Sequence, residues 1–121
     1  LYAVPKARCR QTLEPYSEAT GLAIEPAPEL GDGAVDRDPE AALATITSLA
    51  RGAVTAAACA QGDGIPRLLR ALAHRARATG CPPVANRDLD DPPSRKGSVW
   101  VLSLGPDGTL AAADYYRDAA F

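Results

Sequence analysis

The chain has 121 residues, enough for one domain with a single core but not for two. Its 13 basic and 15 acidic residues are interspersed and leave a net charge of −2, which gives no electrostatic case for binding nucleic acid or an anionic membrane. No apolar run approaches the ~20 residues of a membrane-spanning helix. We therefore expect a soluble protein that binds neither nucleic acid nor a membrane.

The cysteines and the amino terminus bear on where the protein works. Cys9, Cys59 and Cys81 are scattered without metal-ligand spacing, which is typical of reduced thiols and indicates the cytoplasm. The sequence contains no Met, so we expect a segment upstream of Leu1 that is missing here. The excess of Arg over Lys, with abundant Ala, Pro and Gly, is typical of GC-rich bacteria.

The first third of the chain predicts a strand, a helix, a second strand and a loop. Residues 1–4 resemble a strand end, Pro5 suits a first helical position, and apolar residues then recur on one helix side. Pro15 removes one backbone hydrogen bond, so we expect a kink or restart around residues 13–16. We expect Gly21 to end this helix, residues 22–24 to form a brief strand, and residues 25–39 to form a loop over a crevice.

The central part predicts two helices around a strand. Asp38 and Pro39 supply an N-cap and a first helical position, and the apolar stripe that follows ends near Gly52. Residues 53–60 are small or β-branched without alternation, which predicts a parallel strand covered on both faces. A third helix is expected from about residue 65 to residue 79, with basic residues on its outer side.

The last third predicts an irregular excursion and a hairpin. Residues 80–94 are rich in Pro and Asp, and residues 98–104 and 109–116 flank a turn at 105–108. Helices that alternate with strands and a closing hairpin indicate an α/β fold. We expect three α/β/α layers around a mixed, mostly parallel sheet with a C-terminal β-hairpin.

The junction at residues 61–64 is the sharpest indication of a binding site. A strand, a Gly-x-Gly turn and a helix follow one another there, so the turn lies at the carboxyl end of a parallel strand. Backbone N–H groups at such a helix start favour anions. Gln61 stands in the turn, and its amide can orient a ligand but cannot take a proton.

Three separated stretches carry motifs that can be compared with a family. They are Val-Pro-Lys-Ala-Arg-Cys-Arg-Gln-Thr-Leu-Glu-Pro-Tyr at 4–16, Cys-Ala-Gln-Gly followed by Ile-Pro at 59–66, and Arg-Lys-Gly-Ser-Val-Trp-Val-Leu at 95–102 with Ala-Asp-Tyr-Tyr at 113–116. Together they resemble the histidine phosphatase superfamily, which is phosphoglycerate mutase-like. More narrowly, they resemble the histidine-phosphatase-like domain that follows a Nudix domain in actinobacterial MutT-type hydrolases. The resemblance implies one such domain over residues 1–121, lacking its N-terminal strand and helix.

The resemblance also implies roles for particular residues. Arg8 matches the family's second phosphate-binding arginine, Val4 stands where the family usually has Ser, and Gln61 replaces the second catalytic histidine. The family's nucleophile lies in an Arg-His-Gly motif that would precede Leu1. The one histidine, His74, is 12 residues after Gly62, about 18 Å along a helix, so it is too far to replace that nucleophile. We assign no catalytic residue and expect Arg8, Gln61 and Gly62 to bind phosphate.

Two acidic clusters contain further candidates for site residues. Leu30-Gly31-Asp32 falls near the family's Leu-x-Glu, so Asp32 is a candidate general acid, and the alternative is a solvated acidic loop. Asp88, Asp90 and Asp91 are interpreted as a charged loop rather than a metal site. We expect no metal and no cofactor.

Three functional hypotheses stay open at this stage. The first is a catalytically degenerate module, the C-terminal part of a Nudix or MutT-type nucleotide hydrolase, which holds a phosphate or nucleotide or supports its neighbour. The second is a phosphomonoesterase acting through phosphohistidine when the upstream segment is present. The third is a structural module whose exposed sheet edge pairs with a second copy or with the missing N-terminal segment.

Overall fold

The computed structural model describes residues 1–52 and 55–118, in which helices and strands alternate. The elements in chain order are β1 (Tyr2–Ala3), α1 (Ala7–Thr20), β2 (Glu25–Pro26), a 3-10 turn (Pro28–Leu30), α2 (Ala34–Arg37), α3 (Pro39–Arg51), β3 (Ala58–Cys59), α4 (Gly64–Ala78), β4 (Val84–Ala85), β5 (Val99–Leu104) and β6 (Leu110–Tyr116). This order confirms the α/β class. Among the described residues, no helix is both long and apolar enough to cross a membrane.

The strands form two three-stranded sheets rather than one mixed sheet. The first has the order β2-β1-β3 and is parallel throughout, with Tyr2 aligned to both Glu25 and Ala58. The second has the order β4-β6-β5, with β4 parallel to β6 and β5 antiparallel to it. The mostly parallel sheet and the C-terminal hairpin are therefore confirmed.

The long helices lie close to their predicted positions. The N–H of Ala41 donates to the Asp38 carboxylate at 3.2 Å, so Asp38 caps α3 as predicted. Gly21 ends α1 at a φ of 74°, and its N–H donates to the carbonyl of Ser17. α1 includes Pro15 without a restart, because the carbonyl that loses its donor belongs to Gln11, which is exposed to solvent.

The second strand lies later than residues 22–24, where it was expected. The N–H groups of Glu25 and Ala27 donate to the carbonyls of Leu1 and Ala3, each at 2.8 Å. Pro26 lies between these two donors, so its missing N–H costs no bond to β1. The expected loop at 25–39 thus contains β2, the 3-10 turn and α2.

The prediction that residues 53–60 form a strand covered on both faces was wrong over the part that is described. β3 contains only Ala58 and Cys59, and residues 55–58 are exposed, while residues 53–54 lie outside the described residues. β3 is an edge strand that bonds β1 on one side, and the small side chains at residues 56–58 offer little apolar surface for a covering layer to bury.

Two hydrophobic clusters stabilise the two sheets. The C-terminal cluster packs α3 and α4 against the second sheet and consists of Leu43, Ile46, Leu72, Ala73, Ala76, Leu89, Leu110 and Ala113. The N-terminal cluster surrounds β1 and consists of Ala3, Val4, Cys9, Ala27, Leu30, Val35 and Ala42. Leu68 on α4 packs against both clusters, so α4 joins the two parts. Trp100 packs against the C-terminal cluster, and its Nε1–H donates to the Pro93 carbonyl at 2.9 Å.

Candidate functional site

Three loops leave the first sheet at the carboxyl ends of its strands. We call this end of the sheet its carboxyl edge. β1, β2 and β3 run in the same direction, so the segments 4–6, 27–33 and 60–63 all leave at this edge. The N–H of Val4 donates to the carbonyl of Cys59 at 3.0 Å, which holds the first and third loops side by side. Ligands of parallel sheets bind at such an edge.

The first loop leads into the amino end of α1. Lys6 is the N-cap residue in an extended conformation, and no side chain caps the first turn. Arg8 lies in that turn with an exposed side chain, for which the described residues provide no ion pair or side-chain hydrogen bond. Both the free N–H groups and the guanidinium are thus available to an anion.

The third loop leads into α4 through a tight turn. Gln61 is half-buried directly after β3, and Gly62 is exposed with a φ of +64°. The α4 N-cap is Asp63, and no side chain caps that helix either. A Cβ atom at Gly64 would lie 2.5 Å from the carbonyl oxygen of Leu30, so only glycine lets the start of α4 pack this closely on the second loop.

The second loop places Asp32 against this turn. The N–H of Asp63 donates to Asp32 Oδ1 at 3.3 Å, and a Cβ atom at Gly62 would lie 2.5 Å from Asp32 Oδ2. Asp32 is nevertheless exposed. The structure thus brings Asp32 and Gly62 into direct contact, and places a carboxylate where the start of α4 would attract an anion.

The structure does not bring the other residues that the sequence singled out into contact at this site. Arg8 and Gln61 follow neighbouring strands, but their side chains make no hydrogen bond to each other in the described structure. Val4 is buried and packs against Gly31, so its side chain belongs to the core rather than to the crevice. His74 is exposed on α4, ten residues or about 15 Å beyond Gly64.

Sequence reasoning missed an ionic cluster over the first turn of α4. Arg67 Nη1 lies 2.5 Å from Asp36 Oδ2, and Arg67 Nη2 lies 3.5 Å from Asp63 Oδ2. The hydrogen bond to Asp36 is the main reason why the pKa of Arg67 is raised. The sequence pattern predicts only that the basic residues of this helix lie on its outer side. The spacing of four residues between Asp63 and Arg67 was the one available signal, because the contact with Asp36 joins distant segments.

The charges at the edge are therefore asymmetric. Lys6 and Arg8 lie at the start of α1. The start of α4 instead faces three carboxylates, of Asp32, Asp36 and Asp63, and the guanidinium of Arg67 pairs with the last two. An incoming phosphate is therefore favoured at the α1 side of the edge.

Two cysteines lie beneath this edge. Cys9 is 2% exposed in the first turn of α1, and Cys59 is the last residue of β3. Burial raises the pKa of the Cys9 thiol to about 11, the neighbouring thiol of Cys59 acts in the same direction, and Lys6 opposes the shift. Cys9 is consequently protonated near neutral pH.

The second acidic cluster lies elsewhere. Arg77 Nη1 donates to Asp90 Oδ1 at 2.7 Å, and the N–H of Asp90 donates to Asp88 Oδ1 at 2.9 Å. Across residues 1–52 and 55–118, no three His, Cys, Asp or Glu side chains come together as metal ligands would. The Asp-rich loop is bonded within itself and to α4.

Comparison with known proteins gives a similarity that covers almost the whole chain. No family model matches the sequence. The chain is 35% identical over 115 residues to a protein of Mycolicibacterium smegmatis named 8-oxo-(d)GTP phosphatase, and the match covers 95% of this chain and 33% of that protein. The chain thus spans about a third of the length of the curated relative it matches. A homologue of almost the whole chain is, by its name, a phosphatase of an oxidised guanine nucleotide.

Proposed function

We propose that the chain is a catalytically degenerate histidine-phosphatase-like module of a longer Nudix or MutT-type nucleotide hydrolase, and that it holds nucleotide phosphate groups at the carboxyl edge of β1 and β3. The observation that carries this proposal is the pair of adjacent loops, each leading into a helix whose first turn no side chain caps. The similarity to an 8-oxo-(d)GTP phosphatase supports a nucleotide as the ligand.

In this proposal the phosphate lies nearer α1 than α4. Arg8 presents its guanidinium fork to two phosphate oxygens, and the free N–H groups of the first turn of α1 bind alongside it. Gln61 and the backbone N–H of Gly62 complete the site from the other loop. The carboxylate of Asp32 limits how far the phosphate approaches α4.

The proposed lack of catalysis follows from the side chains at the edge. The amide of Gln61 can donate and accept hydrogen bonds but cannot act as a general base. Asp32 is exposed and bonded to the turn rather than directed to a leaving group near α1. His74 lies on the wrong part of α4 to attack phosphorus. Hydrolysis is therefore assigned to the other part of the longer protein.

Calorimetric titration with a guanosine triphosphate tests the binding part of the proposal. We expect saturable binding that weakens about tenfold or more in Arg8→Ala, because a bidentate charged contact is lost. Arg10→Ala is the matched control, since Arg10 is exposed on the same helix and points about 200° away. Equal affinities for wild type and Arg8→Ala would contradict the proposed site.

A phosphatase assay tests the degenerate state separately. The isolated chain should hydrolyse a generic aryl phosphate no faster than buffer does. Turnover that disappears in Arg8→Ala would overturn the degenerate state and favour the phosphomonoesterase hypothesis. That result would not contradict the proposal that phosphate binds at this site.

One observation favours a second function, strand pairing. β3 is an edge strand with exposed residues at 55–58, and Ala57 and Cys59 bond β1, so the backbone groups of Ala58 face outward. If this edge pairs two copies, the chain sediments as a dimer and Ala58→Pro makes it a monomer. A wild-type chain that stays monomeric at high concentration would contradict pairing between copies.

A further inference from the structure

Cys9 and Cys59 are 50 positions apart in the sequence but adjacent in the structure. Cys9 is buried in the N-terminal cluster, and Cys59 packs against that same cluster from the end of β3. Helix α1 packs against β3, and the Cys59 thiol is one of the groups that raise the pKa of Cys9. The third cysteine, Cys81, is exposed after the end of α4.

We propose that Cys9 and Cys59 are a redox modification site, which a low-molecular-weight disulfide such as oxidised glutathione converts to a disulfide between α1 and β3. The two cysteines are neighbours in one cluster, so a bond between them does not require distant segments to come together. Nothing in this proposal depends on phosphate binding at the neighbouring edge.

The reaction is two successive thiol–disulfide exchanges. Cys59 is the more accessible thiol; it loses its proton to solvent, attacks the small disulfide, and releases one small thiolate. Cys9 then loses its proton and attacks the Cys59 sulfur, which releases the second small thiolate. Both leaving thiolates take up protons. Two protein thiols are thereby oxidised, and one small disulfide is reduced to two small thiols.

The bond would act on the residues beside it. Arg8 directly precedes Cys9, and Gln61 lies two positions after Cys59. A disulfide fixes its two sulfur atoms about 2 Å apart. The bond therefore links the start of α1 covalently to the end of β3, and the oxidised state restricts the spacing across the crevice.

Equilibration in glutathione buffers tests the proposal. The chain is incubated at a series of ratios of reduced to oxidised glutathione, quenched with acid, alkylated, digested and analysed by mass spectrometry. We expect a peptide that links Cys9 to Cys59, with one midpoint ratio, while Cys81 is alkylated or carries glutathione alone. Cys81→Ser should keep this midpoint, and Cys59→Ser should leave Cys9 reduced at every ratio.

Two results would overturn the proposal. One is that Cys9 stays fully alkylatable at every ratio while Cys59 accumulates only glutathione. The other is that Cys9 is linked mainly to Cys81. Because the wild-type peptide map decides between these outcomes, the test does not depend on whether a serine variant folds.

Discussion

The two sheets of this molecule are built differently. The strands of the first sheet, β1, β2 and β3, have two residues each, whereas β5 and β6 of the second sheet have six and seven. Each cluster has three alanines, but the cluster beneath the first sheet adds two valines, Cys9 and one leucine, while the cluster beneath the second adds five Leu or Ile side chains. The second sheet therefore has both more backbone pairing and larger buried side chains.

Because of this difference, we expect the second sheet to contribute most to stability and the first sheet to carry the binding loops. Large buried side chains contribute the most to stability, so the C-terminal cluster is expected to dominate the free energy of unfolding. The candidate site instead lies on loops that leave the short-strand sheet. Elements with few buried apolar contacts open locally at lower free energy, and binding loops are commonly drawn from such parts. The site is thus placed on the less stable part and attached through α4 to the more stable one.

The largest expected effect comes from the C-terminal cluster. Leu72 is fully buried, so Leu72→Ala should lower the free energy of unfolding by about 2–5 kcal/mol. Val35→Ala removes a smaller buried side chain from the N-terminal cluster and should cost roughly 1–2 kcal/mol. Urea unfolding of both variants measures the comparison. A loss in Val35→Ala that equals the loss in Leu72→Ala would contradict the unequal roles of the clusters.

A smaller effect is expected where the first sheet meets α4. Alanine is favoured over glycine inside a helix by roughly 1 kcal/mol. At Gly64, however, a Cβ atom would lie 2.5 Å from a backbone oxygen of Leu30, so Gly64→Ala should destabilise by about 2 kcal/mol.

Gly21→Ala is the control for this substitution. Its Cβ atom would meet nothing within 4 Å, and its cost should come from the positive φ alone, about 1–2 kcal/mol. The amide resonances of residues 30–32 and 61–63 should shift in Gly64→Ala and stay in place in Gly21→Ala. Unshifted resonances in both variants would show that Gly64 is not a close-packed position.

The smallest effect is a pH dependence from Cys9. Folding raises the pKa of this thiol from 9.0 to about 11, so the folded state holds the proton more tightly than the unfolded state does. The resulting stabilisation, on the order of 1–2 kcal/mol, is complete below pH 9 and is lost as the pH rises toward 11. The Cys9→Ala variant has no such contribution at any pH. The difference in the free energy of unfolding between wild type and Cys9→Ala should therefore become smaller from pH 9 to pH 11. A constant gap would contradict the shift.

The sequence predicted the elements with strong local patterns. α3 and α4 have long apolar stripes and an N-cap or turn signal at the start, and β5 and β6 alternate on either side of a Gly-Pro-Asp-Gly turn. The two-residue strands were harder, because a pair such as Glu25–Pro26 becomes a strand only through bonds to β1. The local sequence around Glu25–Pro26 does not reveal that β1 will be its pairing partner.

The candidate site was predictable only in part, for the same reason. The turn at Gln61 and Gly62 could be placed from the strand-turn-helix pattern, and Arg8 from the family resemblance. The contact of Asp32 with the turn joins residues 31 positions apart. Such contacts depend on how the loops stack at the sheet edge, which no local pattern reports.

The most direct test of the account is the location of phosphate on the molecule. Backbone amide shifts can be followed by NMR during titration with a guanosine triphosphate. We predict saturable shifts at residues 7–9 and 61–65, which are lost in Arg8→Ala. The competing location is the groove that contains Thr47, Arg51 and Arg75, where two guanidinium groups also lie. Saturable shifts confined to that groove, with residues 7–9 and 61–65 unchanged, would contradict the account.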